Sequence, residues 1–179
     1  MRNFTLRKGF LESKCGTHSS FKGFVMLVVM MLMMASSAMA EVIDGLRYML
    51  DSDTKTAMLL PKKDGKYSGD IVVPEKVKGN DGVEYVVTSL GNECFSYCSG
   101  LTSVNIPSSV TSLSYACFKG CSGLTSVNIP SSVTSLGSGC FEGCSGLTSV
   151  SIPSSVTSLG RSCFWNCSGL TSVSIPSSV

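Results

Sequence analysis

The apolar positions in the second half of this chain fall into a strict period. Leu101, Val104, Ile106, Val110, Leu113, Phe118 and Cys121 return 23 residues later as Leu124, Val127, Ile129, Val133, Leu136, Phe141 and Cys144. Leu147 to Cys167 repeats the set, and Leu170, Val173 and Ile175 open it again. A fixed period in the twenties marks a solenoid, whose coils bury their apolar side chains only against neighbouring coils. Within each coil, alternation predicts a short strand at Leu101–Ile106, Leu124–Ile129, Leu147–Ile152 and Leu170–Ile175. Val104 and Ile106 point to one face of that strand, and Ser103 and Asn105 to the other. Pro107 lacks an N–H and ends the ladder. The spacing of Val110, Leu113, Cys117, Phe118 and Cys121 fits neither a long helix nor a second long strand, so short turns are expected there. Phe118 and Phe141 are the predicted interior stacking residues.

The L-x-x-V-x-I opening is close to that of the leucine-rich repeat consensus. The longer string C-F-x-x-C-S-G-L-T-S-V-x-I-P-S-S-V-T-S-L resembles the BspA-like, or Treponema-type, leucine-rich repeats over about Tyr67 to Val179. Where that family commonly carries Ala before the Phe, this chain has Cys94, Cys117, Cys140 and Cys163. The swap keeps a small buried side chain and leaves the fold expectation intact. The expected fold is therefore a β-rich leucine-rich repeat solenoid of 23-residue repeats, with one short parallel β-strand per coil and a β-hairpin-like N-terminal cap. The resemblance implies a secreted or cell-surface protein that contacts other proteins, with adhesion to other cells or to host matrix proteins such as fibronectin or fibrinogen. Glycans are a further class of partner. The alternative is a structural surface coat that self-associates without a specific ligand.

Upstream of the regular coils the pattern degrades in a readable way. Ile71, Val73, Pro74 and Val77 match Val104, Ile106, Pro107 and Val110, while Leu90, Cys94, Phe95 and Cys98 match Leu113, Cys117, Phe118 and Cys121. Residues 67–98 thus form a degenerate first repeat with a strand at Ile71–Val73 and ten inserted residues. Gly79-Asn80-Asp81-Gly82 lies in that insert, and a protruding hairpin is expected. Residues 99–179 hold three full repeats and one partial one. Residues 41–66 read as the capping segment, with a strand over Ile43–Leu50 paired to Thr56–Leu60 through the Asp51–Lys55 turn. The chain stops at Val179 in mid-coil, and a further C-terminal portion is expected.

Residues 1–40 read as a secretory signal: a basic start, the apolar run Phe24–Ala35, and Ala38-Met39-Ala40 as a cleavage site, with cleavage after Ala40. Export to the surface or medium follows, and the only expected tie to a membrane is that export or a surface anchor. Composition changes once the leader is set aside. The whole chain carries a formal +2, but residues 1–40 hold five cations and one carboxylate, leaving the remainder at −2. No basic stripe remains to neutralise phosphates, which argues against nucleic-acid partners.

Candidate chemistry is sparse. The one histidine, His18, lies in the leader, so the exported part has no Ser-His-Asp or Cys-His pair and no enzyme activity or cofactor is expected. Eight cysteines recur as Cys94/98, Cys117/121, Cys140/144 and Cys163/167. Buried thiols, disulfides between neighbours and zinc ligation are the three readings; a ladder spreads ligands along an axis instead of converging them, which disfavours a metal. Ser103, Asn105, Ser126, Asn128, Ser149, Ser151, Ser172 and Ser174 form the candidate ligand-contact face of the strands. Variation between coils clusters at the return turns, where Tyr115, Lys119, Glu142, Arg161 and Trp165 are candidate edge contacts.

Overall fold

The structure, a computed structural model, describes residues 39–179. The expected leader, with Phe24–Ala35 and His18, lies outside the described residues apart from Met39 and Ala40. Twelve strands and no helix occur among the described residues. They form two sheets. The first runs β1(Met39–Ile43), β2(Leu46–Asp51), β3(Thr56–Leu60), β6(Glu84–Leu90), β8(Ser112–Leu113), β10(Ser135–Leu136) and β12(Ser158–Leu159), with β5(Lys76–Lys78) attached to β6. The second is the parallel stack β4(Gly69–Val72), β7(Leu101–Asn105), β9(Ser126–Asn128) and β11(Ser149–Ser151).

Each regular coil therefore supplies two strands where one was expected. The predicted strand at the T-S-V-x-I segment is present, and a second, two-residue strand at S-L joins the other sheet in parallel, Ser112↔Ser135↔Ser158. Its brevity explains why alternation does not reveal it: two residues carry no period. The last predicted strand, Leu170–Ile175, reduces to one parallel bridge, Ser151↔Ser174.

Between the sheets lies a continuous core that repeats by column. Leu101, Leu124 and Leu147 are fully buried, as are Val110, Val133 and Val156 and the rings of Phe95, Phe118 and Phe141. The rings stack with centroids 5.2, 5.2 and 5.4 Å apart from Phe95 through Phe164, the last two pairs within 2° of parallel. The return turns stack through backbone bonds such as Phe95 N–H to the Cys117 carbonyl (2.8 Å) and Phe118 N–H to that of Cys140 (2.7 Å). The second serine of each P-S-S-V stretch adds a side-chain rung. Ser109, Ser132, Ser155 and Ser178 donate to the carbonyls of Val87, Val110, Val133 and Val156 at 2.6–2.7 Å. Each rung nets on the order of 1 kcal/mol and satisfies a carbonyl that would otherwise be stranded at the coil interface.

The upstream segments extend the first sheet. β1, β2 and β3 form an antiparallel meander, and β3 pairs in parallel with β6. The single strand expected over Ile43–Leu50 is broken at Asp44-Gly45, whose φ values of 49° and 80° make a two-residue turn. Asp-Gly is the residue pair that such a hairpin turn prefers. The expected cleavage point after Ala40 falls inside β1. Tyr67 ties the meander to the first coil: its hydroxyl donates to the Leu60 carbonyl and accepts from the Arg47 N–H, both at 3.0 Å, while its ring tilts against Phe95. The Gly79–Gly82 turn forms as expected, joining β5 to β6. It does not protrude, however: Val77, Tyr85 and Val87 are buried in the common core, since alternate residues of the hairpin are apolar and face inward.

Candidate functional site

The outer face of the second sheet carries most of the candidate contact residues. Asn105 pairs with Asn128, and Ser126 and Asn128 pair with Ser149 and Ser151. All five, with Ser172 and Ser174, are exposed. The underlying Val104, Val127 and Val150 are buried, so alternation alone aims the polar groups outward. Ser126, Val127, Asn128, Ser149, Val150 and Ser151 line an open depression of about 320 Å³. The surface is uncharged and offers hydroxyl and amide groups as both donors and acceptors.

Ser103 departs from the grid. It is half-buried, and its hydroxyl donates to Asp70 Oδ1 at 2.6 Å, with Thr102 donating to the same oxygen at 2.7 Å. These two bonds, Ser103 first, hold the Asp70 carboxyl below its ordinary value. Asp70 occupies the Ser103 register position on β4, and the exposed Val72 occupies that of Asn105. The neutral grid therefore ends at the first coil.

A second surface lies on the return turns. Each turn has two left-handed residues, at Glu93, Ala116, Gly139 and Ser162, and at Tyr97, Gly120, Gly143 and Asn166. Lys119 and Glu142 are adjacent in this stack and form an ion pair of 2.9 Å, while Tyr115, Arg161 and Trp165 are exposed. Tyr97, absent from the sequence candidates, is also exposed. Its signal was available, since a bulky residue there stands where the other coils have Gly or Asn.

The eight repeat cysteines are free thiols and all are buried. Cys121, Cys144 and Cys167 donate to the carbonyls of Phe95, Phe118 and Phe141 in the preceding coil at 2.9–3.0 Å. They are rungs of the coil interface. Burial pushes Cys94, Cys117 and Cys140 well above the ordinary thiol value and Cys163 up to about 12. A thiol raised on folding favours the folded state below its unfolded pKa, and that contribution is lost as the pH rises toward the folded value. Two results are expected. Iodoacetamide at pH 8 should leave Cys117 and Cys140 unmodified in the folded protein and label them fully in denaturant, as read by peptide mass spectrometry. The thermal midpoint should also fall as the pH is raised above about 9. Labelling of native Cys117 at the rate of a free thiol would overturn the buried-rung reading.

These features match known proteins. A family model for the BspA type leucine rich repeat region matches residues 83–179 in six copies. The chain belongs to the BspA-type leucine-rich repeat family. Among solved structures, a leucine-rich repeat protein from Bacteroides ovatus is 27% identical with a TM-score of 0.65, over 76% of this chain and 41% of that one. A leucine-rich repeat protein from Bacteroides capillosus is 24% identical with a TM-score of 0.62, over 75% of this chain and 96% of that one. The Treponema pallidum leucine rich repeat protein is 23% identical with a TM-score of 0.60, over 73% and 69%. The last two likenesses establish the fold alone, and this BspA-type chain spans less than half of the Bacteroides ovatus protein. No curated protein matches it.

Proposed function

We infer that this protein is exported and displayed at the cell surface, where its second sheet binds an extracellular protein. The carrying observation is the exposed, uncharged register of Asn105, Ser126, Asn128, Ser149 and Ser151. Structural relatives support the location. One, 22% identical, is described as a leucine rich cell surface protein from Faecalibacterium prausnitzii, and another, 18% identical, is the pneumococcal vaccine antigen PcpA. Matrix proteins such as fibronectin and fibrinogen are the partners that the family resemblance implies.

A grid of identical groups predicts how affinity behaves. Each neutral hydrogen bond nets only about 1 kcal/mol, so binding accumulates with the number of coils. It should also change little with ionic strength, because no ion pairs are needed. The test is binding to immobilised fibronectin by this protein and by a form carrying one further copy of residues 122–144, at low and high salt. Affinity should rise with the added coil and persist in salt. Binding that collapses in salt and ignores coil number would move the contact to the charged segment Glu41–Glu84. Concentration-dependent assembly with no binding would favour the surface-coat alternative.

A further inference from the structure

The outer face of the first sheet carries an apolar pair that the core does not use. Met49 on β2 and Met58 on β3 stand directly opposite each other, and each is 38% exposed. Beside them the ladder is irregular. Ala57 pairs with Val87 and Met58 with Ser89, so Thr88 is an extra residue on β6. A bulge of this kind bends its strand and re-aims the side chains around it. Here it accompanies a groove of about 270 Å³ lined by Met49, Asp51, Thr56, Met58, Thr88 and Ser89. Gly91 helps to seat Met58, because a Cβ there would lie 3.2 Å from the Met58 sulfur.

The groove combines an apolar wall with a charged end. Asp51 Oδ1 accepts the N–H groups of Asp53 and Thr54 at 2.9 and 3.2 Å, which holds the carboxylate in place. Hydrogen bonds from Thr54, and then from Asp53, keep this carboxyl below its ordinary value, with Lys55 adding the smallest pull. It is therefore ionised at neutral pH, and a carboxylate has room for about four such bonds. Two cations of the same segment are engaged elsewhere. Arg47 Nη1 donates to the Pro61 carbonyl at 3.3 Å, and Lys55 Nζ lies 5.8 Å from the centre of the Tyr85 ring. The turn itself carries Asp51 and Asp53 against Lys55, a balance that repels anionic ligands, lipid headgroups included.

We propose that this groove receives a lysine side chain from an extended segment of a partner protein. Lysine joins a long methylene stem to a compact charge. The stem lies along the Met49 and Met58 thioethers, which adapt readily to an irregular apolar group, and the ammonium reaches the Asp51 carboxylate. The hydroxyls of Thr56, Thr88 and Ser89 take the backbone groups that flank the inserted residue. A free amine would leave those hydroxyls unused, and an uncharged side chain would leave Asp51 unused. This site belongs to the first sheet and depends on an ion pair. It is independent of the neutral face of the second sheet, whose affinity follows coil number and ignores salt.

The probe is the peptide acetyl-Gly-Gly-Lys-Gly-Gly-amide, added to the whole protein isotope-labelled at its methionine methyl groups. The Met49 and Met58 methyl signals should shift together and saturably at millimolar peptide, with an affinity that falls as salt is raised. Diaminopropionate in place of the lysine keeps the charge without the stem, and norleucine keeps the stem without the charge. Both peptides should bind several-fold more weakly. Asp51→Asn preserves the turn, since its amide oxygen accepts the same two N–H bonds, and should weaken binding about tenfold, the scale of one hydrogen bond to a charged group. Met49→Ser removes half of the apolar wall and should weaken it a few fold. Asn128→Ala should change nothing. Methionine signals that stay fixed at millimolar peptide would overturn the proposal, as would equal binding of the diaminopropionate peptide or undiminished affinity in Asp51→Asn. Binding of n-butylamine as tight as that of the peptide would overturn the assignment to a protein segment.

Discussion

Phe141→Ala should cost roughly 3–5 kcal/mol of folding stability, the range for emptying a large, well-packed core site. The ring is fully buried and lies between Phe118 at 5.2 Å and Phe164 at 5.4 Å, parallel to both within 2°. Removing it deletes two stacking contacts as well as the transfer energy of the ring. Backbone atoms on both sides are pinned by inter-coil bonds, Phe118 N–H to Cys140 and Phe141 N–H to Cys163, so the turns cannot close over the void. In a solenoid each coil touches only its neighbours, and a loss of that size at a middle coil uncouples the coils on either side. Phe164→Ala, where the ring is half-buried and has one stacking partner among the described residues, should cost clearly less. Urea denaturation of both variants checks the order. A cost below about 1 kcal/mol for Phe141→Ala would mean that the ring ladder contributes little.

Much of this interior was readable from the chain. The 23-residue recurrence of Leu, Val, Ile and Phe identified the columns, and the alternation around Val104, Val127 and Val150 identified the exposed serines and asparagines, because period-2 geometry maps directly onto faces. What stayed hidden has physical reasons. The Ser112–Leu113 strand is too short to show alternation, and its hydrogen bonds depend on a partner 23 residues away. Asp70 captures the Ser103 hydroxyl across 33 positions, a contact that no local pattern encodes. The turn residues Gly79–Gly82 are enough to predict the hairpin, but whether Tyr85 and Val77 face the core depends on how β6 joins β3. The cysteine ladder left three readings open, because spacing shows that thiols line up and cannot show that Cys144 faces the Phe118 carbonyl.

Glycine in the C-S-G-L stretch is the other feature whose role only the packing reveals, and Gly146→Ala should be a strongly destabilising single-methyl addition. Gly146 does not adopt a left-handed conformation, so backbone freedom is not what it supplies. A Cβ there would run into the Ser122 carbonyl oxygen of the preceding coil and lie 3.3 Å from that of Leu124. Gly123 and Gly169 meet the carbonyls of Ser99 and Ser145 in the same way. The obstacle is backbone held by the ladder, not the movable end of a side chain, so the coils must separate to admit the methyl. Overpacking of this kind costs typically 1–3 kcal/mol and sometimes more. Gly143 makes the internal contrast. Its φ of +71° is left-handed, yet its Cβ direction is open, and Asn166 occupies the same place in the next coil with φ of +58°. Gly143→Asn should therefore cost less than about 1 kcal/mol, since Asn tolerates that region. Comparing the denaturation midpoints of the two variants separates close approach from conformational freedom. If Gly146→Ala proves as stable as the parent, the coils are not in the tight backbone contact described here.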